Sequence, residues 1–258
     1  IINWPNKNDN HILFCNSEYD RITQIKKILR KKARVVIYNS SKLANLGHKG
    51  KINIIGYIYI SIYYVFICYF LMPFEINYLS RIFKLNKIDV LFIHNGGWPA
   101  ARICRSAFFA SKISGIKKIF LIIHSLAQPK SLFYGIQESI IEFLMKYFKI
   151  NVLTVSKVSK NEIIKNTFLP KPKVIYNGIH LKKINKEKMN LLRKSLKLNN
   201  KNFIVSTIGT IDNNRGQEVI IESIAILKKL IPNIILLIVG TGTSLELNKL
   251  KKIIKEKS

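Results

Sequence analysis

Residues 89–99 read DVLFIHNGGWP. The apolar run Val90–Ile93 leads through His94 and Asn95 into a Gly-Gly turn, and Pro99 is placed to open a helix at its first turn. Strand, glycine turn, helix is the first half of a βαβ unit, and the pattern repeats outward from here. Downstream come apolar runs at Lys118–His124, Val152–Ser156, Lys173–Tyr176, Phe203–Ile208 and Ile234–Val239; upstream lie His11–Cys15 and Arg34–Tyr38. Several are unbroken Ile/Val-rich runs, as expected of strands covered on both faces. Between them Asp20–Lys32, Pro99–Ser114, Leu132–Phe148, Gln217–Leu230 and Leu245–Lys257 carry apolar residues at helical spacing, for example Ile220, Ile221, Ile224 and Leu227. The alternation predicts an α/β fold with parallel sheets. Lys182–Asn202, with eight Lys or Arg and no strand signal, reads as a linker, so two domains are expected, 1–181 and 182–258.

The chain has 258 residues, 48% of them apolar, which supports a buried core and excludes wholesale disorder. Forty-three Lys and Arg against 14 Asp and Glu give a net charge of +29. That charge points to anionic partners: nucleic acid, anionic lipid or phosphorylated small molecules. No nucleic-acid motif accompanies it, so specific nucleic-acid binding is not expected. Cys15, Cys68 and Cys104 are odd in number and far apart, which argues against a disulfide scaffold and for a reducing compartment. No His or Cys pair has metal-ligand spacing, so no metal site is expected, and no close Ser/His/Asp set supports nucleophilic hydrolysis.

Ile52–Phe74 runs for 23 residues without a formal charge. That length suffices to cross a bilayer. Its tyrosines, Pro73 and the α/β units on both sides leave three readings open: a span, a membrane-docking helix, or a packed helix. The chain starts at Ile1 without Met and stops in a helical pattern, so an incomplete sequence is expected.

Ligands of open parallel sheets bind outside the carboxyl ends of the strands. His94, Asn95, Gly96 and Gly97 end one strand there and His124 ends the next, so the two histidines face one crevice or cap the core as satisfied side chains. The third candidate is Gly209-Thr210-Ile211-Asp212-Asn213-Asn214-Arg215-Gly216, a polar loop before a helix. A helix N-terminus accepts anions, and Arg215 could add a charged contact to a phosphate; the alternative is a solvated turn holding one Arg. Gly240-Thr241-Gly242-Thr243 is a similar but weaker turn, and Asn177-Gly178 with His180 closes the first domain.

Taken in order, VLTVSKVSKNEI (152–163), KVIYNGIHLKKI (173–184), STIGTIDNNRGQEVIIESIAILKK (206–229) and NIILLIVGTGTSLELNKL (233–250) resemble a GT-B glycosyltransferase of the family 4 type. HNGGWPAARICRSAFFA and IIHSLAQP resemble its acceptor-domain loops. The resemblance covers about residues 85–257. It implies two Rossmann-like parallel-sheet domains, the second incomplete, with 1–181 as the acceptor side and 182–258 as part of the donor side. His124 matches the acceptor-domain His near the transferred sugar, and Arg215 stands where a donor-diphosphate Lys is usual. Gly209 and Gly216 let the backbone approach that phosphate. Thr210 and Tyr176 replace the usual Arg and Pro, and the family's paired glutamates would fall beyond Ser258. The implied activity is transfer from a nucleoside-diphosphate sugar to a glycan or lipid-linked acceptor. It would retain anomeric configuration without a metal or other cofactor, in cell-surface polysaccharide synthesis at the cytoplasmic face of a membrane. Two rivals remain: a non-catalytic basic membrane-surface module and an inactive fragment.

Overall fold

The structure is a computed structural model describing residues 9–16, 22–29, 33–38, 62, 70–99, 101–130, 135–179, 183–199, 201–212 and 215–257. Most of Ile52–Phe74 lies outside the described residues, with only Ile62 and 70–74 inside them. Among the described residues no helix is long and apolar enough to cross a membrane. The chain forms two compact units, Ile1–Gly178 and Ile179–Ser258.

In the first unit the order is β1 (Ile12–Asn16), α1 (Ile22–Leu29), β2 (Arg34–Tyr38), α2 (Met72–Leu85), β3 (Val90–Asn95), α3 (Arg102–Ile113), β4 (Lys118–Ile123), α4 (Gly135–Tyr147), β5 (Asn151–Thr154), α5 (Lys157–Asn166) and β6 (Lys173–Val174). Strands β3-β4-β5-β6 form one parallel sheet and β1-β2 a parallel pair. Parallel neighbours require crossover connections, and the helices supply them. Strand β3 alternates: Leu91, Ile93 and Asn95 are buried while Val90, Phe92 and His94 are exposed. Leu91, Ile93, Ile119, Leu121, Ile123 and Val152 meet Leu79, Phe83, Phe108 and Met145 of the helices in one core.

The second unit runs α6 (Lys186–Ser195), β7 (Phe203–Ile208), α7 (Gln217–Leu227), β8 (Ile234–Val239) and α8 (Ser244–Lys257), with β7 and β8 parallel from Phe203↔Ile234 to Ile208↔Val239. Its buried cluster is Ile211, Ile221 and Leu250, against which Leu236, Ile238, Leu247 and Ile253 pack. Side chains two apart on a strand share a face, so Ile234, Leu236 and Ile238 meet the helices while Ile235 and Leu237 lie opposite. The apolar runs of β7 and β8 suggested cover on both faces, yet only Ile234 among them is buried.

Two expectations are corrected here. Lys182–Asn202 is not a bare linker, because α6 occupies its middle. Asn185 caps it by accepting from the Lys188 amide at 2.9 Å, and none of its residues is buried, which is why its pattern looked merely polar. Pro99 does not open α3, whose N-cap is Ala101. The chain first folds back on the β4 end: Trp98 N donates to the Leu126 carbonyl (3.4 Å) and Gln128 N to that of Trp98 (2.7 Å).

Candidate functional site

The carboxyl ends of β3 and β4 bring the two histidines together. In register, Phe92 lies opposite Phe120 and His94 opposite Ile122, which makes His124 the diagonal neighbour of His94 on the same face. Two ring stacks follow along that face, Phe92–Phe120 at 5.1 Å and His94–His124 at 5.3 Å, interplanar angles 15° and 17°. His94 Nδ1 and His124 Nε2 are 3.0 Å apart, so one ring donates and the other accepts. Burial, and after it the charge of His124, hold the His94 imidazole below its ordinary value of 6.5. Both rings are exposed at one edge, so the pair can meet a hydroxyl or a phosphate oxygen.

Asn95 does not join them. Its side chain points to the buried face, where Oδ1 accepts from the Ala101 amide at 3.3 Å at the start of α3, while its carbonyl accepts from the His124 amide at 3.0 Å. The exposed Gly96 and the half-buried Gly97 carry the chain from that buried anchor to Trp98. Cys104 sits behind the strand end, its Sγ 3.6 Å from the His94 carbonyl; burial lifts the thiol to about 11, with Arg105 pulling weakly the other way. A thiol so raised is unreactive at neutral pH.

Residues not singled out from the sequence hold this edge in place. Trp98, 1% exposed, donates from Nε1 to Glu142 Oε1 at 2.8 Å. Glu142 Oε2 accepts from the Phe168 amide (2.9 Å) and pairs with Lys130 Nζ (2.7 Å), whose ammonium lies 4.2 Å from the Phe168 ring centre. Ser156 caps α5 by accepting from the Ser159 amide at 3.0 Å. The Ser159 hydroxyl in turn donates to the Ser125 carbonyl at 2.7 Å, tying the His124-Ser125 turn to α5. Buried ion pairs Arg105–Glu138 and Arg102–Glu75 link α3 to α4 and to α2. The only sequence signal for Glu138 and Glu142 is their place on the apolar side of a helix with Ile141 and Met145.

In the second unit the loop after β7 leads to α7. Gly216 stands at the N-cap with φ +73°, a conformation that suits glycine. The Gln217 side chain donates to the Thr210 carbonyl at 2.9 Å and fixes the loop to the helix start. Arg215, 63% exposed, lies 3.5 Å from the Asp212 carboxylate. A doubly charged phosphate could draw the guanidinium from that weak partner. Gly209 has open space around it, whereas a Cβ on Gly240 would stand 1.8 Å from the Gly209 carbonyl oxygen. The close approach of the two strand ends therefore depends on Gly240 (the weaker-looking turn). A hollow of about 240 Å³ lies between the first turns of α7 and α8, lined by Asp212, Gly216, Glu246 and Lys249. Thr243 and Glu246 close the start of α8: Glu246 Oε2 accepts from the Thr243 amide and hydroxyl, both at 2.9 Å. Of the two helix starts, that of α7 carries the basic side chain. Asn213, Asn214 and His180 lie outside the described residues.

Parallel strands, crossover helices and a glycine-capped helix start at a strand's carboxyl end define an α/β, Rossmann-like class. Within it, residues 188–258 match the family model of the glycosyl transferases, group 1. The match begins within α6 and takes in β7, the Gly209–Gly216 loop, α7, β8 and α8. A comparison of the chain with curated proteins finds no match.

Proposed function

We propose that the chain is a group 1 glycosyltransferase that moves a sugar from a nucleoside-diphosphate donor to a glycan or lipid-linked acceptor. The observation that carries this is the family match over 188–258, which contains the loop and helix start best suited to a diphosphate. Departure of the nucleoside diphosphate builds negative charge on its β-phosphate. In this reading the α7 amides and Arg215 would stabilise that charge, and Gly209 and Gly216 would leave the backbone open to approach. Residues 1–181 would hold the acceptor, His94 and His124 contacting sugar hydroxyls at the sheet edge, with His124 nearest the transferred sugar. Anomeric retention, independence of metal and cofactors, a role in cell-surface polysaccharide synthesis and a place at the inner face of a membrane belong to the same reading. They are supported by the resemblance in sequence.

Calorimetric titration of the chain with nucleoside diphosphates tests it. Binding is expected for one of the common bases and should weaken about tenfold or more in Arg215→Ala, the loss of one charge-assisted contact. Equal affinity in both proteins would remove Arg215 from the site.

A further inference from the structure

The outer face of α4 is apolar where a surface helix is ordinarily polar. Ile136, Ile140, Phe143, Leu144 and Tyr147 recur at steps of three and four and are exposed, Ile136 at 74% and Phe143 at 62%. The opposite face buries Glu138, Ile141, Glu142 and Met145. Phe168, also exposed, stands beside this face and with Ile136, Ile140, Phe143 and Leu144 lines an open groove of about 630 Å³, Lys130 and Ser139 at its side. A contiguous apolar patch of this kind marks an interaction surface.

The charges around it select the occupant. Lys130 lines the groove, Lys146 lies on α4 and Lys149 just past its end, while the two glutamates of α4, Glu138 and Glu142, are buried in ion pairs. A second copy would bring the same lysines against themselves, since a two-fold interface meets its own patch, and each chain carries +29. An anionic bilayer satisfies both features at once. Aliphatic and aromatic side chains enter the headgroup boundary, Tyr147 keeping its hydroxyl in water, while lysines meet the lipid phosphates.

We propose that the outer face of α4, with Phe168 beside it, is a docking surface for an anionic lipid membrane. It gives the membrane partner of the proposed function a definite surface and rests on that reading for the partner's class alone.

Flotation of the full chain with vesicles tests the proposal, one set of phosphatidylcholine alone and one with about a third phosphatidylglycerol. The wild type should float with the mixed vesicles, less so in high salt. Ile140→Ser with Phe143→Ser, both at exposed positions, should lower that binding at least about tenfold at an unchanged circular-dichroism melting temperature. Lys146→Glu with Lys149→Glu should do the same on mixed vesicles and leave the weak binding to phosphatidylcholine as it was. Wild-type chain that stays in the aqueous phase overturns the proposal, as does unchanged binding in either variant. So does a dimer in sedimentation velocity that the Ile140/Phe143 variant abolishes, because the face is then a self-interface. The nucleotide titration fails or succeeds separately: a chain that binds nucleotide through Arg215 and ignores vesicles loses only this surface.

Discussion

The gap of 3.0 Å between His94 Nδ1 and His124 Nε2 has room for one proton, so a charge on His124 opposes protonation of His94. The His94 value is lowered first by burial and second by His124. His124→Gln removes only the second cause, so an NMR titration should find His94 moving back up but stopping short of 6.5. An unmoved His94 midpoint would show that the pair does not couple. The stability consequence has a definite sign. A base whose folded value is depressed binds its proton more readily in the unfolded chain, so its contribution is present above pH 6.5 and lost as pH falls from there toward the folded value. Urea unfolding should therefore show a loss on going from about pH 7.5 to 5.5 that is smaller in His124→Gln. A loss of the same size in both proteins would place the dependence elsewhere. Both histidines were legible in the sequence because each ends an apolar strand of period two. Asn95 was misleading for the same reason: one step along a strand turns the side chain to the other face.

At the scale of elements, β2, β7 and β8 keep the bounds read from their apolar runs, and β7 and β8 each lie between an Asn and a Gly, which leaves such a run little freedom to be anything else. Helix α6 was illegible because nothing buries it, and the Trp98–Glu142–Lys130 anchor because its members lie up to 44 residues apart, joined only by the fold. That anchor sets how firmly α4 grips the β3–α3 loop. Glu142→Ala would leave Trp98 Nε1 and the Phe168 amide without their acceptor and Lys130 without its ion-pair partner. Lys130 is a quarter exposed and can turn to water, so the cost should fall at the low end for a broken buried pair, about 3 kcal/mol. Glu142→Gln keeps an acceptor and should cost about half as much. Urea unfolding followed by tryptophan fluorescence reads both, and equal costs would assign the effect to packing instead of the hydrogen bonds. In the second unit Gly240→Ala must push back the Gly209 carbonyl, which should destabilise that unit by about 1–3 kcal/mol. Gly209→Ala, with open space, should cost much less by the same measurement.

At the scale of the whole molecule the two units have unequal cores. The first buries a cluster that runs through β3, β4 and β5 and the helices on them; the described apolar residues that the second buries are Ile211, Ile221, Ile234 and Leu250. Burial of apolar surface is the main favourable contribution to folding, and the free energy of local opening follows it. Amides of β7 and β8 should therefore exchange with deuterium through cheaper openings than those of β3, β4 and β5. Leu250→Ala, a loss of about 2–5 kcal/mol from a small core, should accelerate exchange in β7 and β8 and leave β4 alone. The same measurement bears on the proposed donor site. A nucleoside diphosphate at about a hundredfold excess over its dissociation constant contributes ~2.7 kcal/mol to whichever unit binds it, a slowing of roughly a hundredfold. If the Gly209–Gly216 loop and the α7 start are the diphosphate site, that slowing falls on β7 and β8. Slowing confined to β3–β5 would move the nucleotide to the histidine edge, and uniform slowing would mean that the two units open as one.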